Sequence, residues 1–197
     1  FAETNEIASN LGDLLTGNLS FEDNVHLCMT GGEPLLGWQK AYVELFQQPE
    51  LVNLEHLTFE TNGSKMVQQV LIDYFNNTNA MFTEVTWMVS PKLSLTGEDQ
   101  NVTIDPECLL SMNKVLNSNI NLKFVVRDEI DLAEVEAALA AYEEAGVEIE
   151  DVFLMPEGAT LEGQELTEKN VAELCMREGY KFSPRLHINL FGNSWGT

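Results

Sequence analysis

Short apolar runs and helix-period segments take turns along almost the whole chain, and this alternation restricts the fold more than any other feature. Residues 25–29 form an apolar run ending in Thr30-Gly31-Gly32, and residues 35–46 follow with helical spacing. A second run, 56–59, ends in Glu60-Thr61-Asn62-Gly63, after which Val67, Val70, Leu71, Tyr74 and Phe75 recur at helical intervals. A third, 85–89, ends in Ser90-Pro91-Lys92. Asp105-Pro106 reads as a cap with a first-turn proline, and Leu109, Met112 and Leu116 continue that helical face. Residues 122–126 give a fourth strand. Asp131, with Glu134 three residues on, reads as the cap of a helix striped by Leu132, Val135, Leu139 and Tyr142 and ended by Gly146. A fifth strand, 152–155, leads into Pro156-Glu157-Gly158. Thr167 reads as the cap of a helix bearing Val171, Leu174 and Cys175, with Gly179 at its end. Residues 182–190 read as extended and alternating.

Strand–helix alternation implies parallel strands joined by right-handed crossovers. Both an open doubly wound sheet and a partial (β/α) barrel satisfy it. In either, ligands bind where the loops leave the strand ends. No repeat, low-complexity tract or linker divides residues 1–197, so a single α/β domain is expected. The longest polar connection, 94–103, reads as a mobile loop.

Charge and cysteine content remove several function classes. Ten Lys and Arg face thirty-two Asp and Glu, for a net charge of −22. Such a field repels phosphate backbones, so no nucleic-acid partner is expected. No apolar run approaches the roughly 20 residues of a membrane helix, and no signal peptide is evident. The first residue is Phe rather than Met, which suggests an artificial or processed start. Cys28, Cys108 and Cys175 are odd in number, far apart and outside any C-x-x-C pair. They read as buried, reduced structural thiols of a cytoplasmic protein, with no metal ligands among them.

Four strand ends carry unusual residues, and the topology brings them to one edge. Gly31 and Gly32 free the backbone for a ligand, where exposed amides bind a carboxylate and Glu33 accepts from an ammonium group. A zwitterionic amino acid matches both, although such a doublet also serves as a plain turn. Lys92, a cation in an acidic chain, answers either a ligand carboxylate or a salt bridge to Glu60 or Glu33. Glu60 and Asn62 suit ribose hydroxyls or the closing of a turn. Met155-Pro156 offers an apolar wall to a ring, or simply core followed by loop. Arg185 and His187 share one side of the expected terminal strand, where His187 suits a ligand or a structural hydrogen bond. His26 and His56, at strand starts, read as structural.

Taken together, these motifs resemble a known family. Gly31-Gly32-Glu33-Pro34 after an apolar strand resembles the GGEP motif of radical S-adenosylmethionine enzymes. Glu60-Thr61-Asn62-Gly63 and Val89-Ser90-Pro91-Lys92-Leu93 narrow the resemblance to 7-carboxy-7-deazaguanine synthases. Leu154-Met155-Pro156 and Arg185-Leu186-His187 follow in that family's order, so the likeness runs from about residue 25 onward. It implies a partial barrel and a ring contraction of 6-carboxy-5,6,7,8-tetrahydropterin, started by a 5′-deoxyadenosyl radical from S-adenosylmethionine. It further implies a [4Fe-4S] cluster, Mg2+ and a reducing donor such as flavodoxin or ferredoxin. By analogy, Thr30 and His187 contact substrate. Gly32, Ser90, Pro91, Lys92, Met155, Pro156, Glu157 and Gly158 line the S-adenosylmethionine site. The family's cluster cysteines and magnesium threonine have no counterpart here, so the expectation is a carboxy-terminal portion that is inactive by itself. A homodimer is compatible with the sequence. Two other readings remain: a glycyl-radical activase of the same superfamily, and a non-catalytic binding module.

Overall fold

The computed structural model describes residues 3–14, 25–51, 53–77, 84–97 and 104–192. Helix α1 (Thr4–Leu14) comes first. Then follow β1 (His26–Met29), α2 (Gln39–Phe46), β2 (His56–Thr61), α3 (Gln69–Phe75) and β3 (Glu84–Val89). The second half holds α4 (Pro106–Asn113), β4 (Ser118–Val126), α5 (Glu129–Ala145), β5 (Asp151–Pro156), α6 (Leu161–Glu178), β6 (Lys181–Phe182) and α7 (Leu186–Phe191). The strands form one sheet in the order β1-β2-β3-β4-β5-β6, with every pairing parallel. A strictly sequential order with right-handed crossovers sends all helices to one side. That decides between the two architectures: the sheet is a partial barrel, open between its first and last strands. Among the described residues no helix is long and apolar enough to cross a membrane.

The two faces differ because side chains alternate along each strand. Leu57 and Phe59 of β2, Val85, Trp87 and Val89 of β3, and Ile120, Leu122, Phe124 and Val126 of β4 point to the helices and are buried. Phe59 and Trp87 stack at 4.8 Å, with Phe75 of α3 edge-on to both. Each such fully buried side chain contributes about 1.5–3 kcal/mol. The opposite parity runs Cys28, Thr58, Thr86, Asn119 along one register line and Glu60, Met88, Asn121 along another. This concave face is polar and partly open.

The helix signals hold in part. Asp105 caps α4, accepting from the Glu107 amide at 3.0 Å with Pro106 in the first turn. Gly146 and Gly179 end α5 and α6 at φ 83° and 82°. Other expectations are corrected. The helix expected over 35–46 begins at Gln39, because residues 34–38 form the turns that follow the Gly-Gly doublet. Leu116 lies beyond α4 and is exposed. Asp128, not Asp131, caps α5, since its carboxylate accepts from the Ile130 and Asp131 amides. Thr160, not Thr167, caps α6; Thr167 sits inside it, its hydroxyl donating to the Glu157 carbonyl at 2.7 Å. The terminal segment is not an alternating strand: β6 covers two residues, and Arg185 and His187 belong to the start of helix α7. Of the polar connection 94–103, residues 98–103 lie outside the described residues.

Candidate functional site

Three of the four singled-out strand ends meet. A cleft of about 380 Å³ at the carboxyl edge is lined by Thr30, Gly31 and Gly32 after β1, Glu60 to Asn62 at the end of β2, Met88 of β3 with Ser90 and Lys92 after it, and Lys123 from β4. Parallel pairing produces this convergence, because parallel strands end at one edge.

The walls are fixed by hydrogen bonds that the sequence did not reveal. Glu33 is already engaged within the protein. Its Oε1 accepts from the Leu35 amide at 3.0 Å and the Thr61 hydroxyl at 2.7 Å, and its Oε2 accepts from the Asn62 amide at 2.8 Å. The carboxylate thus clamps the loop after β1 to the end of β2. Gln39, fully buried, adds a second clamp: its Nε2 donates to the Leu35 and Met66 carbonyls at 2.9 and 2.8 Å, and its Oε1 accepts from the Gln68 amide at 2.6 Å. Ser90 is held from both sides, its amide donating to the Thr61 carbonyl at 2.7 Å and its hydroxyl to the Lys123 carbonyl at 2.9 Å.

Between these walls the surface is open. Gly31 has φ 92°, which favours glycine, and a Cβ on Gly31 or Gly32 would meet no atom within 4 Å. Glu60 meets Lys123 at 3.5 Å across the intervening strand, and the Thr30 hydroxyl donates to the other oxygen of Glu60 at 3.4 Å. Lys123 was missed by motif reading. Its signal was parity: it alternates with the buried Leu122 and Phe124, so it points to the concave face.

The other expected site residues lie elsewhere. Met155, Pro156, Glu157 and Gly158 end β5 on the same edge, beyond β4 and outside the cleft lining. Pro156 and Gly158 are buried, and a Cβ on Gly158 would stand 2.6 Å from the Gln164 amide nitrogen. His187 is exposed on α7 and also lies outside the lining. Pro91 is buried beside the cleft.

The cysteines divide. Cys108 and Cys175 are buried, and burial with the neighbouring Asp105 carboxylate pushes the Cys108 thiol up to about 12. Cys28 corrects the expectation: it is exposed, because β1 is an edge strand of the described sheet and Cys28 faces its concave side. Its thiol is raised by partial burial and then by the charge of Glu60. His26 and His56 stack at 4.6 Å at the amino edge, opposite the cleft. His56 there borders a second cavity, of about 530 Å³, with Glu84, Asn119 and Glu150. Among the described residues no group of three or more His, Cys, Asp or Glu is arranged to hold a metal ion.

No protein-family model matches the chain. It is 30% identical to the 7-carboxy-7-deazaguanine synthase of Halobacterium salinarum, over 98% of this chain and 75% of that protein. It is also 30% identical to the 7-carboxy-7-deazaguanine synthase of Pyrobaculum aerophilum, over 87% of this chain and 67% of that protein. Its backbone matches the crystal structure of QueE from Escherichia coli with a TM-score of 0.56 at 17% identity, covering 93% of this chain and 64% of that one. The structural likeness carries the fold, and the sequence matches span most of both partners. The chain therefore belongs to the 7-carboxy-7-deazaguanine synthase family.

Proposed function

We propose that this chain forms the greater part of an enzyme that contracts 6-carboxy-5,6,7,8-tetrahydropterin to 7-carboxy-7-deazaguanine with loss of ammonia. It would be a carbon–nitrogen lyase serving queuosine and related deazaguanine modifications. The observation that carries the reading is the gathering of Thr30, Gly32, Ser90 and Lys92 around one cleft at the strand ends.

The cleft's chemistry fits S-adenosylmethionine. Open glycine backbone suits its amino-acid end, Lys92 suits its carboxylate, and the carboxylate of Glu60 with the amide of Asn62 suits ribose hydroxyls. When bound, this cofactor together with a reduced iron–sulfur cluster supplies the radical chemistry. The residues here hold, orient and shield. Glu33 and Gln39 fix the loop that would meet the methionine portion, Ser90 fixes the end of β3, and Met88 gives the floor an apolar surface. Thr30 remains a proposed substrate contact at the cleft rim. His187 remains one that requires α7 to contribute from outside the cleft.

The described residues do not fit a cluster or magnesium site: Cys28, Cys108 and Cys175 lie on β1, α4 and α6. On this reading, cluster and magnesium ligands would come from outside the described residues. The chain spans 75% and 67% of the lengths of these two relatives. The test is anaerobic incubation of the full-length protein with dithionite, S-adenosylmethionine and the carboxytetrahydropterin. Formation of 7-carboxy-7-deazaguanine is expected by mass spectrometry. Cleavage of S-adenosylmethionine with the pterin untouched would refute the substrate assignment.

A further inference from the structure

Two lysines and one carboxylate stand among the cleft-lining side chains, in a molecule whose acidic residues outnumber its basic ones by 32 to 10. Lys92 lies in the segment after β3, whereas Lys123 projects from strand β4 of the sheet. Its side chain is about one-fifth exposed, against nearly half for Glu60 (21% and 46%). The Lys123 stem lies along the sheet, and its ammonium group reaches the cleft, where it meets an anion. The anion it has is loosely held. The Lys123–Glu60 separation is 3.5 Å, where a well-formed charge-assisted hydrogen bond spans about 2.7–2.9 Å. The Thr30 hydroxyl reaches the same carboxylate at 3.4 Å, nearly as long. Thr30, Glu60 and Lys123 thus form an extended, under-engaged chain spanning β1, β2 and β4, and it passes over Met88 of β3. Such a chain is easily exchanged for ligand contacts, because each member gains a shorter partner.

We infer that Lys123 receives the carboxylate of the reacting heterocycle, and that Glu60 is thereby released to accept from neutral N–H or O–H donors of the bound molecules. This rests on the functional reading above and deepens it, assigning a specificity-determining residue that no motif marks. A cation that pairs with the 6-carboxylate separates carboxylated from uncarboxylated pterins, since the latter leave the ammonium with its weak internal partner only.

The test uses the full-length protein with its cluster left oxidised, so that no turnover occurs, and S-adenosylmethionine present. Calorimetry would compare 6-carboxy-5,6,7,8-tetrahydropterin with 5,6,7,8-tetrahydropterin in wild type, Lys123→Gln and Lys123→Arg. Gln keeps a donor for Glu60 and removes only the charge; Arg restores the charge. Lys123→Gln is expected to weaken the carboxylated ligand about tenfold, to near the uncarboxylated one, with Arg recovering most of the loss. Affinity for S-adenosylmethionine and the thermal midpoint should stay near wild type. Carboxylated-ligand affinity within twofold of wild type in Lys123→Gln would overturn the inference and leave the functional reading standing. So would an equal loss for both pterins, or a loss confined to S-adenosylmethionine. A wild type that binds neither pterin overturns both.

Discussion

At Gly158 the backbone of α6 leaves no room for a side chain. Its φ of 143° demands glycine, and so does the 2.6 Å that would separate an added Cβ from Gln164 and Gly163. Gly158→Ala is expected to cost roughly 2 kcal/mol or more in urea denaturation, with the effect on cofactor affinity following only from that loss. Glu33 and Lys92 invite the opposite experiment. Glu33→Ala removes the acceptor of Thr61 and Asn62 and should loosen the loop after β1. Lys92→Ala should weaken S-adenosylmethionine binding about tenfold while moving the thermal midpoint little. Unchanged affinity measured by calorimetry would count against the ligand role. That Thr30, Gly32, Ser90 and Lys92 share one edge was legible because each sits where an apolar run breaks. Lys123 and Gln39 were not, because their roles come from strand register and from a loop-to-loop contact, neither of which is local in sequence.

At the scale of elements, the clearest lesson lies at the start of α5. The sequence reads Asp131 as the cap, and Arg127 explains why Asp128 takes that place instead. It donates to Asp131 through its amide and Nε, each at 2.8 Å, and through Nη2 at 2.9 Å, so Asp131 faces back along the chain, buried, and Asp128 takes the cap. The Arg127 hydrogen bonds hold the Asp131 carboxyl below its ordinary range. A lowered folded-state value means stabilisation present above the unfolded carboxyl value of about 3.9 and lost as pH falls through the folded one. Asp131→Ala should therefore cost about 2 kcal/mol at pH 7 by urea denaturation, and the gap to wild type should narrow as pH falls below the unfolded carboxyl value. The later helices misled for a different reason. The residues just ahead of Thr167 lack an apolar stripe, and the alternation after Phe182 fits a short helix as well as a strand.

For the molecule as a whole, strand–helix alternation carried the fold class, and strand order chose the partial barrel. The charge of −22 acts against compactness, since like charges repel across so small a body. Raising KCl from about 0.05 to about 0.5 M shortens the Debye length to roughly 4–5 Å and should raise the urea midpoint measurably. A midpoint that falls with salt would mean that ion pairs such as Arg177–Glu129 outweigh the net repulsion.

Among the described residues, each strand of the sheet is hydrogen-bonded to its neighbours in sequence. A molecule that joins Thr30 to Lys123 must cross three successive pairings, from β1 to β4, and so acts as a splint on those strands while β5 and β6 stay outside it. Occupancy should then slow amide exchange in β1 through β4 and leave the last pair nearly as fast as before, turning a static strand order into a graded stiffness along the sheet.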